Sequence, residues 1–127
     1  MRPREQITWL YVADLERSRT FYTAALDLRQ VLEQSGCCIL GLSETAFLGL
    51  CQRPPPRETP GLLLCFVTPA VKETYEALIR CGGRSEQAPK INPTYGIEHA
   101  FVLDPDGHRV EVQRFLDPDW KGAPESP

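Results

Sequence analysis

Two segments near the end of the chain carry its most reactive pairing of side chains. Residues 97–103 and 109–115 are rich in β-branched and aromatic residues and flank the turn sequence Asp104-Pro105-Asp106-Gly107. A connection running from Asp104 to His108 sets Leu103 opposite Arg109, Phe101 opposite Glu111 and His99 opposite Gln113. In that register Ala100, Val102, Val110 and Val112 share one apolar face, and His99 and Glu111 share the other. An imidazole beside a carboxylate is an arrangement suited to general acid–base chemistry, so Glu111 and His99 are the candidate catalytic pair. Three roles are open to His99: a hydrogen-bonded histidine in a polar pocket, an acid or base working with Glu111, or a non-standard metal ligand. Glu111 also has a plainer role, pairing with Arg109 on its own face or with Arg114 through strand twist. His108, in the turn, is expected at the surface and outside any site.

The cysteines point away from metal chemistry. They stand at positions 37, 38, 51, 65 and 81, an odd number with no Cys-x-x-Cys spacing. That pattern is expected of free, buried thiols in a reducing compartment, which makes the cytoplasm the expected location. Cys51 and Cys65 are expected to be inert, because nothing near them in sequence lowers a thiol pKa. A net charge of −3 without a basic stripe argues against nucleic acid or an anionic membrane surface as partner. The longest apolar run, residues 62–67, is strand-sized, so no membrane span is expected. The first residues have no apolar core of the kind a secretory signal needs.

Positioning these residues requires a larger frame, and the chain spells one out twice. Residues 7–12 read as a strand, Asp14 as a helix N-cap, and Leu15, Ser18, Tyr22, Ala25 and Leu26 as one face of a helix. Three strands follow at 29–34, 37–42 and 46–52, and then a connector, 53–61, holding four of the twelve prolines. The order then repeats. A continuously apolar strand at 62–67, expected to be buried on both faces, leads to Thr68-Pro69 as a helix start. Val71, Tyr75, Leu78 and Ile79 form the next stripe, and Gly82-Gly83 stops it. A weaker strand at 84–87, a proline-containing loop and the two closing strands complete the set. Superposing the halves places Ile7 on Leu63, Leu15 on Val71, and FLGLCQ (47–52) on VEVQRF (110–115) to within a residue. The expected organisation is one domain over 1–116, with modules of about 5–53 and 61–116, and a proline-rich tail at 117–127 with little to pack.

Two motifs tie this repeat to a known family. LYVADLERSRTFYTAALDL (10–28) is similar to the opening strand and helix of the glyoxalase/bleomycin-resistance/extradiol dioxygenase (vicinal oxygen chelate) superfamily, with Asp27 where the family usually has glycine. YGIEHAFVLDPDGHRVEV (95–112) resembles that family's closing hairpin, with its trailing glutamate at 111. The resemblance implies an α+β fold: two βαβββ modules forming open half-barrel sheets, with helices on the outer face. In metal-dependent members, ligands project from the first, fourth, fifth and eighth strands into one concave cavity. Carried onto this chain, those positions are Ile7, a point near Gly49, Leu63 (or Leu62) and Glu111. Only Glu111 can donate an electron pair. Gln6 could substitute on the first strand only if a bulge re-aimed it, since neighbouring strand residues face opposite ways. No bound metal and no cofactor are therefore expected.

What the resemblance leaves is a concave, mostly apolar face with a few polar groups, the usual make-up of a small-molecule pocket. Trp9, Tyr11 and Phe47 are its expected ligand-binding residues in the first module. Cys65, Phe101, Arg109 and Gln113 join them from the second, with Arg109 available to neutralise an acidic group. Trp9 offers a stacking surface while Leu10 and Val12 pack on the helices; Trp120, in the tail, is expected to stay apart from a ligand. The leading expectation is a metal-free homodimer that binds an aromatic or amphipathic small molecule. The alternatives are a metal-dependent lyase, isomerase or dioxygenase whose unusual site includes Glu111, and a scaffold domain without a ligand.

Overall fold

A computed structural model describes residues 1–58 and 61–122. Strand β1 (Gln6–Val12) alternates as expected: Ile7, Trp9 and Tyr11 are exposed on one face, while Leu10 and Val12 are buried on the other. Asp14 stays extended and its carboxylate accepts the Arg17 amide at 3.1 Å, which starts helix α1 (Leu15–Leu26). The helix stops at Asp27, in the left-handed region at φ 56°, a conformation that Asp tolerates better than bulkier residues. Strands β2 (Arg29–Gln34), β3 (Cys37–Gly41) and β4 (Ala46–Gln52) complete a sheet in the order β1-β4-β3-β2.

The second half follows the same plan. Strand β5 (Leu64–Val67), helix α2 (Val71–Arg80) and strands β6 (Arg84–Asn92), β7 (Ile97–Leu103) and β8 (Arg109–Phe115) give a sheet in the order β5-β8-β7-β6. In each sheet the module's first strand runs parallel to its last. The architecture is α+β, with two four-stranded sheets and no closed barrel. One apolar layer lies between each sheet and its helix: Leu10, Val12, Leu48 and Leu50 in the first half, Val102, Val110 and Val112 in the second.

Three expectations are corrected. Strand β5 begins at Leu64, and Leu62 and Leu63 are exposed instead of buried. Only β8 pairs with β5, so its apolar run covers an open edge and not the middle of a sheet. Helix α2 begins at Val71 without a side-chain cap. The Thr68 amide is still bonded to the Gln113 carbonyl of β8 at 2.9 Å, so the chain stays extended past the expected start. Strand β6 runs on to Asn92 through Pro89, which an edge strand with two register shifts can accommodate.

The turn between β7 and β8 does more than reverse the chain. Asp104 Oδ1 accepts the amides of Asp106 (2.9 Å) and His108 (2.8 Å), and its Oδ2 accepts the Tyr22 hydroxyl of α1 at 2.6 Å. Asp106 Oδ1 accepts the Ala13 amide at 3.1 Å and Arg17 Nη2 at 3.0 Å, and its Oδ2 accepts the Ser18 hydroxyl at 3.2 Å. His108 is buried, contrary to expectation, and its Nε2–H donates to the Tyr11 carbonyl at 2.9 Å. The second module therefore supplies partners to the end of β1 and the first turn of α1, where a negative charge also complements the helix dipole. Burial is the first cause that raises the Tyr22 pKa, followed by the charge of Asp104, so the hydroxyl remains a donor at neutral pH.

Removing that donor tests the latch. Tyr22→Phe leaves the buried Asp104 carboxylate one partner short and should lower unfolding free energy by about 1.5–3 kcal/mol in equilibrium denaturation. A loss below about 0.5 kcal/mol, the scale of an ordinary surface change, would show the bond to be dispensable.

Candidate functional site

Strand β1 bonds only to β4 and β5 only to β8, leaving one open edge on each. These edges lie side by side, since a hollow of about 340 Å³ between them is lined by Gln6, Thr8 and Phe47 from one half and Leu63, Cys65 and Phe66 from the other. By strand alternation Phe47, Leu63 and Cys65 lie on the helix-free side of this seam and Gln6, Thr8 and Phe66 on the helix side, so the helix-free faces of the two sheets adjoin along it as one open trough. A second hollow, of about 210 Å³, opens at the far end of the seam beside Trp9, Tyr11, Leu62 and His108.

Sheet pairing shows how each module furnishes its share of the trough. In the second, Cys65 on β5 lies opposite Glu111 on β8, Phe101 on β7 lies opposite Glu111 from the other side, and His99 lies opposite Gln113. In the first, Trp9 on β1 lies opposite Gly49 on β4, Ile39 on β3 faces Gly49, and Cys37 faces Cys51. Gly49 and Glu111 are thus equivalent, one residue away from the superposition read from sequence. The pair Cys37/Cys51 occupies the place of His99/Gln113.

The second module's face is polar and internally bonded. His99 Nδ1 lies 2.7 Å from Glu111 Oε2, and the two residues are only 6% and 7% exposed. The His99 ring meets Phe101 edge-on at 5.0 Å. Arg109 lies 5.2 Å over the Phe101 ring and donates to Glu86 at 3.0 Å, so neither it nor Arg114, which pairs with Glu98, is the partner of Glu111. Partial desolvation and then the adjacent Glu111 carboxylate push the Cys65 thiol up to about 12, which keeps it protonated and supports its inertness.

The first module's face is apolar. The Trp9 indole fills the space above Gly49, where any Cβ would collide with the ring. Trp9 is 42% exposed, with Ile39 and Phe47 half-buried nearby on the same sheet. Tyr11 carries the Arg53 guanidinium 5.5 Å from its ring centre. Cys37 and Cys51 form a disulfide across β3 and β4, which corrects the expectation of five free thiols and removes two supports for a reducing compartment. The strand register could have revealed it: counting outward from a five-residue turn at 42–46 brings 37 and 51 together, just as counting from Asp104–His108 brings His99 to Gln113.

The family model described as the Glyoxalase/Bleomycin resistance protein/Dioxygenase superfamily matches residues 5–112. The chain belongs to this superfamily. Among solved structures it is similar to a glyoxalase-related enzyme from Fulvimarina pelagi, with a TM-score of 0.76 and 21% identity over 90% of this chain and 88% of that one. A superfamily enzyme from Burkholderia phytofirmans PsJN has a TM-score of 0.76 and 16% identity, covering 87% and 97%. TioX from Micromonospora sp. ML1 has a TM-score of 0.72 and 17% identity, covering 88% and 98%. At these identities the likeness concerns the fold. No curated protein matches the chain.

The superfamily's metal can be tested against these residues, and they do not fit it. Ile7 projects an alkyl chain, Leu63 lies ahead of β5, and the space at Gly49 holds an indole. Gln6 is not re-aimed, because β1 pairs with β4 residue for residue from Gln6 to Val12. Glu111 remains, already bonded to His99. Elsewhere Asp104, Asp106 and His108 bring three potential ligand atoms together, but both carboxylates and His108 Nε2 are committed to the latch. Among the described residues no helix is long and apolar enough to cross a membrane.

Metal analysis after purification without chelators should therefore find less than about a tenth of an equivalent of zinc, nickel, iron or manganese. Stoichiometric metal lost on Glu111→Ala would reverse this reading of the site.

Proposed function

We propose that this superfamily member binds an aromatic or amphipathic small molecule along the trough, without a metal ion. The observation that carries the reading is the unequal furnishing of equivalent positions. Trp9, Gly49 and Ile39 make an apolar, stackable wall, whereas Cys65, Glu111, His99 and Phe101 make a polar one. A ligand with one flat apolar end and one hydrogen-bonding end matches both. Trp9 is the stacking anchor in this proposal; Tyr11 and Phe47 extend its surface, and Phe101, Arg109 and Gln113 border the polar end. Arg109 is already paired with Glu86, so an acidic ligand group would have to displace that carboxylate.

The protein acts, in the same proposal, as a homodimer. Val31, Leu32 and Ile7 are exposed apolar residues on or beside the first trough wall, and β2 and β6 present uncovered edges. Light scattering should give twice the 14.3 kDa chain mass. A concentration-independent monomer would rule the dimer out.

Proflavine, a flat aromatic cation, is a suitable first probe of Trp9. Trp120 stacks on Phe115 at 4.2 Å, and Phe115 shares the face of Glu111 and Gln113, so Trp120 is not remote from a ligand as expected. Quenching should therefore be read in a Trp120→Phe background. Trp9→Ala should weaken binding by about 2 kcal/mol or more, the scale of a lost aromatic anchor. Equal affinity for the Trp9→Ala protein would sink the stacking role.

A further inference from the structure

The polar wall contains an imbalance of donors and acceptors that points to the chemistry of its occupant. Glu111 as a carboxylate can only accept, so His99 Nδ1 must carry the proton of their 2.7 Å bond. In the neutral imidazole a proton on Nδ1 leaves a lone pair on Nε2. That nitrogen is buried and has no partner. Close by in the sheet, Gln87 on β6 lies opposite Phe101, the residue whose ring touches His99, and the Gln87 amide nitrogen is likewise buried and unpartnered. Buried polar atoms are normally satisfied, and each one left without a partner costs roughly 1–3 kcal/mol. The unmet atom of His99 is an acceptor, which an occupant can satisfy only with a donor such as a hydroxyl; that of Gln87 is a donor, which a hydroxyl oxygen is also able to meet.

The surroundings restrict what that hydroxyl belongs to. Phe101 beside the imidazole, and Trp9 and Ile39 on the first module's share of the trough, favour an aromatic body. The charged and titratable groups around His99 are few. Glu111 lies on β8, Cys65 stands on β5 beyond it and retains its proton, and Lys90 is the β6 strand partner. Arg109 and Glu86 neutralise each other farther along the strand.

We propose that His99 is the proton acceptor of the trough, held in its Nδ1–H form by Glu111, and that the ligand it accepts from is an aromatic molecule bearing a weakly acidic hydroxyl. The inference rests on the trough being the binding site and adds the ligand's chemical class. When the proton moves, the ligand O–H bond breaks, its electron pair stays on oxygen, and a new N–H bond forms at Nε2. The resulting imidazolium lies between the phenolate-type oxygen and the Glu111 carboxylate, so its charge is balanced on both sides. Glu111 acts here as a positioning residue.

The test uses the whole ¹⁵N-labelled protein in the Trp120→Phe background, with p-nitrophenol and p-nitroanisole as probes. The chain has two histidines, so loss of one signal set in His99→Phe assigns the ring. Long-range ¹H–¹⁵N spectra should show His99 Nε2 unprotonated in the free protein and protonated when p-nitrophenol binds, while the visible phenolate band grows. p-Nitrophenol should bind about tenfold more tightly than p-nitroanisole, the equivalent of one retained hydrogen bond. Glu111→Gln, which keeps the side-chain shape, should abolish that preference and the growth of the phenolate band. Both probes quenching Trp9 with equal affinity would overturn the role of His99 and leave the trough reading standing. A proton found on Nε2 in the free protein would also overturn it. p-Nitrophenol failing to bind at all overturns the inference, and both probes failing to quench Trp9 counts against the trough reading as well.

Discussion

Asp104 and Asp106 are acidic side chains buried at the junction of the two modules, and the relative placement of everything else depends on their being satisfied there. No described strand ladder crosses from β1 to β5, so backbone pairing does not hold the halves together. The side-chain bonds from the β7–β8 turn to Ala13, Arg17, Ser18 and Tyr22 do this, together with the packing of α1 against α2. A buried carboxylate is tolerable only when its oxygens are bonded, so the arrangement either forms completely or carries a heavy desolvation cost. Burial is also the first cause that raises the Asp104 pKa, a sign that its donors offset that cost only in part. Gly107, at φ 90°, lets the turn close tightly enough for the His108 amide to return to Asp104.

The latch exists once although the fold repeats twice. At the equivalent β3–β4 turn, Ser43 accepts amides from Thr45 and Ala46 of its own turn and reaches nothing in the second module. A hollow of about 330 Å³, lined by Leu42, Asp27, Thr68 and Thr74, lies there instead. One end of the seam is therefore tied by hydrogen bonds from the second module, whereas the described turn residues at the other make none across it. The tied end is the one next to Trp9 and Tyr11, through the bond from His108 to the Tyr11 carbonyl. The strand that carries the aromatic wall is thus held at its end by a residue of the other module.

The sequence was most readable where a local rule had a single solution. Alternation along β1 separated Trp9 from Leu10, and Asp14 announced the helix start. The five residues from Asp104 to His108 left one register that kept Val102 and Val110 buried while joining His99 to Glu111. It was least readable where a residue's partner belongs to the other module. Nothing local to Asp106 or His108 reveals Ala13 or Tyr11 as its neighbour, so His108 reads from sequence as a solvated turn residue. The β5 run failed for a related reason: apolar character does not distinguish a strand buried on both faces from an edge strand whose open side meets another module. Cys37 and Cys51 failed differently, since the register that pairs them was available but the count of five cysteines was given more weight. The described tail residues, 117–122, are exposed as their composition suggests, and one stacking contact of Trp120 on Phe115 is what the composition does not reveal.

Quasi-equivalence also explains why one module alone is enough to leave the superfamily's ligand set incomplete. The ion is held by donors that converge from both halves, so an apolar half cannot be rescued by a polar one. Here the first module places an indole, a glycine and a disulfide where its counterpart places a thiol, a carboxylate and an imidazole. Glu111 bonds laterally to His99, with a lone pair that a metal ligand would have to offer to the ion instead. The loss of donors on one wall and the buried dyad on the other are then two consequences of one arrangement. The carboxylate at the superfamily's eighth-strand ligand position is bonded here to a histidine, and the unpartnered atom of the pair is the ring nitrogen Nε2 of His99.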